Sequence, residues 1–346
     1  MKSMVLHEPN KPLELEDVAV PEPGAGEVLV RVRACGLGLT LVWNRQDRQP
    51  PTTAQSKLPR IIGHEVAGDV TRTGPGVSKF QTGDRVAVYF YLTCGDCRWC
   101  NVAREDLCEN FGGYVGQHVD GGLAEYIKVP VRNLCAIPAE LGYIEAAMAT
   151  DAIATPLHVL SGRARLAAAE TVVVVGAGGG VGVHMVQMAR ALGGRTIAVD
   201  VTAEKLDLAR EAGADATVDA RDGAVDEQVR GLTDGRGADV VVELVGKRET
   251  LATSVGSLGT GGRIVFVGSY HPDARLSLNP RLLTSRELVL TGSRYCTRHE
   301  LRATLDLVAL GRVRPVVTRI CSLEEAEQVL QTIEAGGLAG RAAVVI

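Results

Sequence analysis

The stretch TVVVVGAGGGVGVHMVQMARALG, residues 171–193, constrains the fold more than any other part of the chain. Five β-branched residues in a row read as a buried strand, and the apolar spacing after Gly182 reads as a helix. Between them, Gly176, Gly178, Gly179, Gly180 and Gly182, with Val181, let the backbone turn sharply and approach a pyrophosphate. The charge of such a group would sit at the positive N-terminal end of the helix. A tight packing turn uses glycines in the same way, so the motif alone leaves both readings open. Its spacing carries one residue more than GxGxxG between Gly176 and the last glycine, which we read as a variant phosphate turn.

The residues beyond the turn decide between the two. The next strand, RTIAVD, ends in Asp200, at the distance where a carboxylate accepts both ribose hydroxyls and repels a 2′-phosphate, favouring NAD over NADP. Capping the helix that begins near Ala203 is a second reading of Asp200, and the two roles can coexist. Lys205 and Val245 are further cofactor-side candidates. Beyond Asp200, helical AEKLDLAREAGA and strand-like ADVVVELVG and GGRIVFVGSY continue an alternation that indicates βαβ units with helices on both faces of a parallel sheet.

Up to about residue 150 the rhythm differs: EVLVRVRACG, EVAGDVTRTGPG, GDRVAVYFYL and GGLAEYIKVP are short β-rich runs broken by Gly, Pro and Asp, as in an antiparallel or barrel-like domain. From about 295 two helical patterns, TRHELRATLDLVALG and SLEEAEQVLQTIEAG, lead to a last apolar strand, RAAVVI. With 346 residues, 46% hydrophobic and 23% charged, the chain is long enough for two domains, each with its own core. A net charge of -4 with pI near 6.0 gives no bulk attraction to nucleic acid or anionic lipid. No apolar run reaches the roughly 20 residues that span a bilayer, and MKSMVLHEPNK has no signal-like apolar core, so a cytoplasmic protein is expected.

Four of the eight cysteines, Cys94, Cys97, Cys100 and Cys108, crowd together, whereas Cys35, Cys135, Cys296 and Cys321 are scattered. In a reducing compartment such clustering favours metal thiolates over disulfides. Four thiolates on one excursion suit a closed, structural tetrahedral zinc, and the spacing differs from ferredoxin iron–sulfur runs.

Taken with GHEVAG, GDRV at Gly83, Asp84 and Arg85, GGLAEY and the late YCTRHEL, these features resemble the zinc-containing medium-chain alcohol dehydrogenases over essentially the whole length. The resemblance implies a GroES-like β-barrel-type catalytic domain over 1–152 and 291–346, with the zinc lobe at 91–112 and an inserted Rossmann dinucleotide-binding domain over 153–290. It also implies hydride transfer between NAD(H) and an alcohol–carbonyl pair, a small-molecule substrate, and assembly as homodimers or homotetramers. Arg298 matches an arginine that reaches the cofactor in relatives; a surface helix-end charge is the plain alternative.

The family's catalytic zinc is held by a cysteine in a Cys-Gly-Xaa-Cys-(His/Arg)-(Ser/Thr)-Asp stretch, by the histidine of GHE, and by a cysteine or aspartate near the domain junction. His64 matches the second ligand, Asp151 the third, and Glu65 an acid that stands near the metal. A satisfied buried histidine and a helix N-cap are the alternatives for His64 and Asp151. In ACGLGLTLVWN, Cys35 falls on the normally non-ligating cysteine and Gly38 on the ligand, so the thiolate is missing. Thr40 keeps the hydroxyl that passes the alcohol proton in relatives, while Leu41 replaces the acid and Trp43 stands at the relay position.

Zinc in such a site acidifies the bound alcohol, and an N/O site of His64, Asp151 and Glu65 remains chemically possible without sulfur. Three expectations result: a dehydrogenase with an altered metal site; a zinc-free NADH-dependent reductase of activated carbonyls or conjugated alkenes using Thr40, His64 and Asp151; or a non-catalytic dinucleotide binder. Four polar groups surviving in one pocket argue against the last. Leu39, Trp43 and Tyr91 are apolar candidates for the substrate pocket.

Overall fold

A computed structural model describes residues 1–48, 56–268 and 274–346. The chain divides into two compact units, one of Met1–Asp151, Cys296–Gly311 and Val317–Ile346, the other of Ala152–Tyr295 and Arg312–Val316. None of the helices described is long and apolar enough to cross a membrane.

The first unit is built on a seven-stranded sheet. Its path runs Leu134–Ala136, Arg85–Val88, Val66–Thr73, Glu27–Leu37, Arg341–Val345 and Val317–Cys321, with Tyr126–Pro130 pairing off Glu27–Leu37. The long strand Glu27–Leu37 alternates β-branched residues with polar ones and carries neighbours on both sides. Its registers position the site. Leu37 pairs with Ala342 and Cys35 with Val344 on one side, while Cys35 pairs with Val66 on the other. The residues just past these pairs, Gly38, Arg341 and Glu65, therefore arrive at the same end of the sheet. A small antiparallel sheet of Glu14–Asp17, Lys2–Leu6 and Arg60–Ile61 and a two-stranded one of Tyr91–Leu92 and Gly113–Tyr114 add to the β-structure of this unit.

The second unit is a six-stranded parallel sheet in the order Ala216–Asp219, Arg195–Asp200, Thr171–Val175, Ala238–Glu243, Leu258–Phe266 and Val289–Gly292. This is the doubly wound order, with the strand order reversing beside Thr171–Val175. Val173, Val175, Ile197, Val199, Val241 and Ile264 belong to its core, each burial stabilising by about 1.5–3 kcal/mol. The stretch GGRIVFVGSY supplies the fifth strand, which ends at Phe266; residues 269 and 270 lie outside the described residues.

Candidate functional site

In the parallel-sheet unit, the turn after Thr171–Val175 leads into the helix Gly182–Ala191, whose N-cap is Val181. A Cβ on Gly178 would stand 2.5 Å from the Lys205 carbonyl oxygen, and one on Gly182 would stand 2.8 Å from Ala177 Cα. Gly182 lets the turn fold down on its own helix, and Gly178 lets it pack against the backbone of the neighbouring helix Ala203–Glu211. Gly179 and Gly180 complete the turn; Gly179 N–H donates to Gly176 O at 3.3 Å, and Gly176 lies at φ +85°, with Val245 packed beside it.

Asp200 ends the neighbouring strand, buried, and accepts from Gly178 N–H at 2.9 Å and from Val201 N–H at 2.8 Å. Its carboxylate therefore ties the glycine turn to the end of the strand Arg195–Asp200. The alternative role for it as helix cap is corrected: Thr202 is the N-cap, its hydroxyl accepting from Lys205 N–H at 3.3 Å.

Two residues in this unit escaped sequence reasoning. Glu243, fully buried at the end of Ala238–Glu243, accepts from Val245 N–H at 2.7 Å, Gly246 N–H at 2.8 Å and the Ser254 hydroxyl at 2.7 Å, so it shapes the loop that carries Val245. His184, also buried, donates from Nδ1 to Gly180 O at 2.7 Å and accepts from Val316 N–H at 2.8 Å. Each is one acid or one histidine in an apolar run, a pattern that marks no role until the neighbouring loops are placed.

In the first unit, Cys94, Cys97, Cys100 and Cys108 converge. Their sulfurs are 3.5 Å apart for Cys94–Cys108, 3.9 Å for Cys94–Cys100 and 4.0 Å for Cys97–Cys108. Tetrahedral zinc with bonds of about 2.3 Å needs sulfurs roughly 3.8 Å apart, so the four fit the ion. Backbone hydrogen bonds from Cys100 and Glu109 hold the Cys97 thiol down to about 6, whereas burial pushes Cys100 up to about 12. Arg298 starts the helix Arg298–Ala309; its backbone N–H donates to Glu105 Oε1 at 2.7 Å and its guanidinium to Arg132 O at 2.8 Å. Glu105, Arg132, Cys100 and Arg298 line a small polar cavity of about 60 Å³ at this lobe.

The second cluster in this unit is His64, Glu65 and Asp151, all buried, with their ligand atoms within 4.8 Å of one another. Asp151 lies in a π-helical turn, Ala149–Ile153, rather than at a helix N-cap, and such turns are frequent at functional sites. The His64 imidazole donates from Nε2 to Asp151 Oδ2 at 3.0 Å and packs edge-on against Phe90, with ring centres 4.9 Å apart. Burial pushes the Glu65 carboxyl up, and the Arg341 guanidinium draws it back. Thr40 is half-buried in the short helix Leu39–Arg45, which Gly38 caps in an extended conformation. Tyr91 is not a pocket wall: it is completely buried, stacked 5.3 Å from Tyr89 and edge-on to Tyr114 at 4.8 Å.

Arg341, invisible as a site residue in the sequence, is buried and ion-paired through Nη2 to Glu65 Oε2. A Cβ on Gly38 would stand 2.6 Å from Arg341 Cζ and closer still to Nη1. Gly36 is likewise filled from outside, since a Cβ there would overlap the Glu65 carboxylate and stand 2.6 Å from Met148 Cε. Cys35 does not move in as a substitute ligand: its sulfur packs against Gly63 and Gly122, and burial pushes the thiol up.

A catalytic zinc does not fit this donor set. An ion bound by Glu65 would stand roughly 5 Å from the guanidinium, a repulsion on the order of 6 kcal/mol at an effective dielectric near 20. Without Glu65, only His64 and Asp151 remain, one short of the three protein ligands usual for catalytic zinc.

A doubly wound nucleotide-type unit joined in one chain to a β-rich unit with a four-cysteine lobe defines a class of dehydrogenase, and comparison with known proteins agrees. Residues 24–139 match the alcohol dehydrogenase GroES-like domain, and residues 180–309 match the zinc-binding dehydrogenase domain. The chain belongs to the zinc-containing medium-chain alcohol dehydrogenase family. It is 34% identical over 350 residues to an NAD-dependent alcohol dehydrogenase of Sulfurisphaera tokodaii, covering 100% of both chains. An acryloyl-coenzyme A reductase of Metallosphaera sedula is 31% identical over 328 residues, covering 95% of each. The alcohol dehydrogenase structure from Aeropyrum pernix superposes with TM-score 0.91 at 33% identity, covering 100% of both.

Proposed function

We propose that the protein is an NAD-dependent oxidoreductase that interconverts a small alcohol and its carbonyl compound, with a catalytic site altered at the position of the family's first zinc ligand. The observation that carries this reading is the His64–Asp151 pair, buried and hydrogen-bonded in a family member whose phosphate turn is tied to Asp200. NAD(H), when bound, would supply the hydride acceptor or donor for the alcohol or carbonyl carbon, while the substrate oxygen loses or gains one proton.

The chain's own residues divide the remaining work. Gly176, Gly178, Gly179, Gly180 and Gly182 hold the pyrophosphate, with Val181 at the start of the helix. Asp200 takes the ribose hydroxyls and disfavours a 2′-phosphate, and Lys205 and Val245 add contacts. Asp151 accepts from His64 Nε2–H and orients the ring, as a carboxylate orients an imidazole in general acid–base catalysis, so Nδ1 is the ring nitrogen that exchanges the substrate proton. Thr40 supplies a hydroxyl to the substrate oxygen.

Reduction of conjugated alkenes is the second reading, favoured by the acryloyl-coenzyme A reductase among the relatives and by the displaced zinc ligand at Gly38. A soluble cytoplasmic homodimer or homotetramer with one structural zinc per chain completes the proposal. The test is a titration of NADH and NADPH against the purified protein, followed by a panel of alcohols, aldehydes, ketones and acryloyl thioesters. Preferential NADH binding with turnover of any panel member supports the reading; no binding of either nucleotide overturns it.

A further inference from the structure

We infer that Arg341 takes the place of the catalytic metal: its guanidinium, clamped by Glu65 in the space that a side chain at position 38 would fill, makes the His64–Asp151 pocket a metal-free one. This deepens the oxidoreductase reading and rests on it for its chemical consequence. Three observations carry the inference.

The first is spatial. The ladder pairing Leu37 with Ala342 sets residue 38 opposite residue 341, and the Arg341 guanidinium occupies the volume of a Gly38 side chain. Glycine at 38 is thus what this arginine conformation requires. The second is charge. Glu65 and Asp151 bring two carboxylates into one buried cluster, and Arg341 is the cation ion-paired within it. A buried carboxylate costs heavily unless paired, and in this pocket the partner is built into the chain. The third is the donor count, since Glu65 is committed to Arg341 and Cys35 is turned away.

Arg341 is then a positioning residue acting through Glu65, keeping the His64–Asp151 hydrogen bond in place without an ion. The consequence concerns substrate class. Without a Lewis acid, the pocket does not lower the pKa of a simple alcohol, so it favours acceptors whose own electron-withdrawing group makes the carbon receptive to hydride.

The test is elemental analysis of zinc per chain in the wild type, Arg341→Ala, and the double variant Gly38→Cys with Arg341→Ala, all purified without added metal and then equilibrated with zinc. One zinc in the wild type and in Arg341→Ala, rising to two in the double variant, is the expected result. Two zincs in the wild type, or one in the double variant with its fold intact by circular dichroism, overturns the inference. On any substrate the panel identifies, Arg341→Ala should lose at least tenfold in kcat, with partial recovery in Arg341→Lys or on adding millimolar guanidinium. An Arg341→Ala protein as fast as wild type would also overturn it. The zinc counts need no substrate, so a wild type that binds no NADH would sink the oxidoreductase reading while leaving the metal-free pocket decided by the counts.

Discussion

His64 Nε2 and Asp151 Oδ2 stand 3.0 Å apart in a buried pocket, although 87 residues separate them in the chain. The carboxylate fixes the ring orientation, and the edge-on Phe90 ring packs against the imidazole as well. Removing the ring with His64→Ala, or the charge with Asp151→Asn, is expected to lower kcat/KM about 10²–10⁴-fold, the usual contribution of a positioned proton carrier. NADH affinity should be unchanged in both, because neither residue belongs to the phosphate turn. Steady-state kinetics with fluorescence titration checks this, and wild-type rates in either variant would remove the pair from the mechanism.

Asp200→Ala removes the acceptor for Gly178 N–H and the partner proposed for the ribose. Hydrogen bonds to charged groups contribute about 1.5–3 kcal/mol, so NADH binding should weaken by roughly 10–100-fold while the preference over NADPH shrinks. Dissociation constants for both nucleotides decide it; an unchanged ratio would show that Asp200 plays no part in selecting between them.

Glu243→Ala strips acceptors from two backbone N–H groups and the buried Ser254 hydroxyl. Leaving such donors unsatisfied costs about 1–3 kcal/mol each, so a fall in stability of at least about 2 kcal/mol is expected in urea titration. Weaker NADH binding should accompany it, since Val245 beside Gly176 rides on the same loop.

Cys108→Ser breaks the four-sulfur set at its most buried member. Zinc content should fall to zero per chain, and Tm by roughly 5–10 °C, as expected for a loss of about 2–3 kcal/mol in a unit of this size. Elemental analysis and calorimetry measure the two together. Retained zinc in Cys108→Ser would mean that the ion sits elsewhere.

Much of this is legible in the sequence because it is local. The phosphate turn is written within a single strand-to-helix stretch, the zinc lobe within one short excursion, and the histidine–acid pair of GHE is adjacent. Short-range spacing fixes which side chains share a turn or face, so strand, glycine turn and helix can be read from it. Tyr91 departs from its expected place in the pocket because local spacing is silent there. An aromatic in YFYL reads alike whether it lines a cavity or stacks in a core, as it does against Tyr89 and Tyr114.

From its sequence alone, then, this chain declares a two-part dehydrogenase architecture, a four-cysteine lobe, a glycine turn with an acid at the end of the next strand, and a glycine, Gly38, at the position that the family resemblance gives to a zinc ligand. The side chain that occupies the space beside Gly38 was decided only by tertiary structure. Arg341 reaches Gly38 because two strands at opposite ends of the chain pair antiparallel, and Glu65 meets it because a third strand pairs on the other side. Such register is set by the burial of whole strand faces rather than by any local motif, so nothing in RAAVVI marks its arginine as a neighbour of the His64–Glu65–Asp151 cluster.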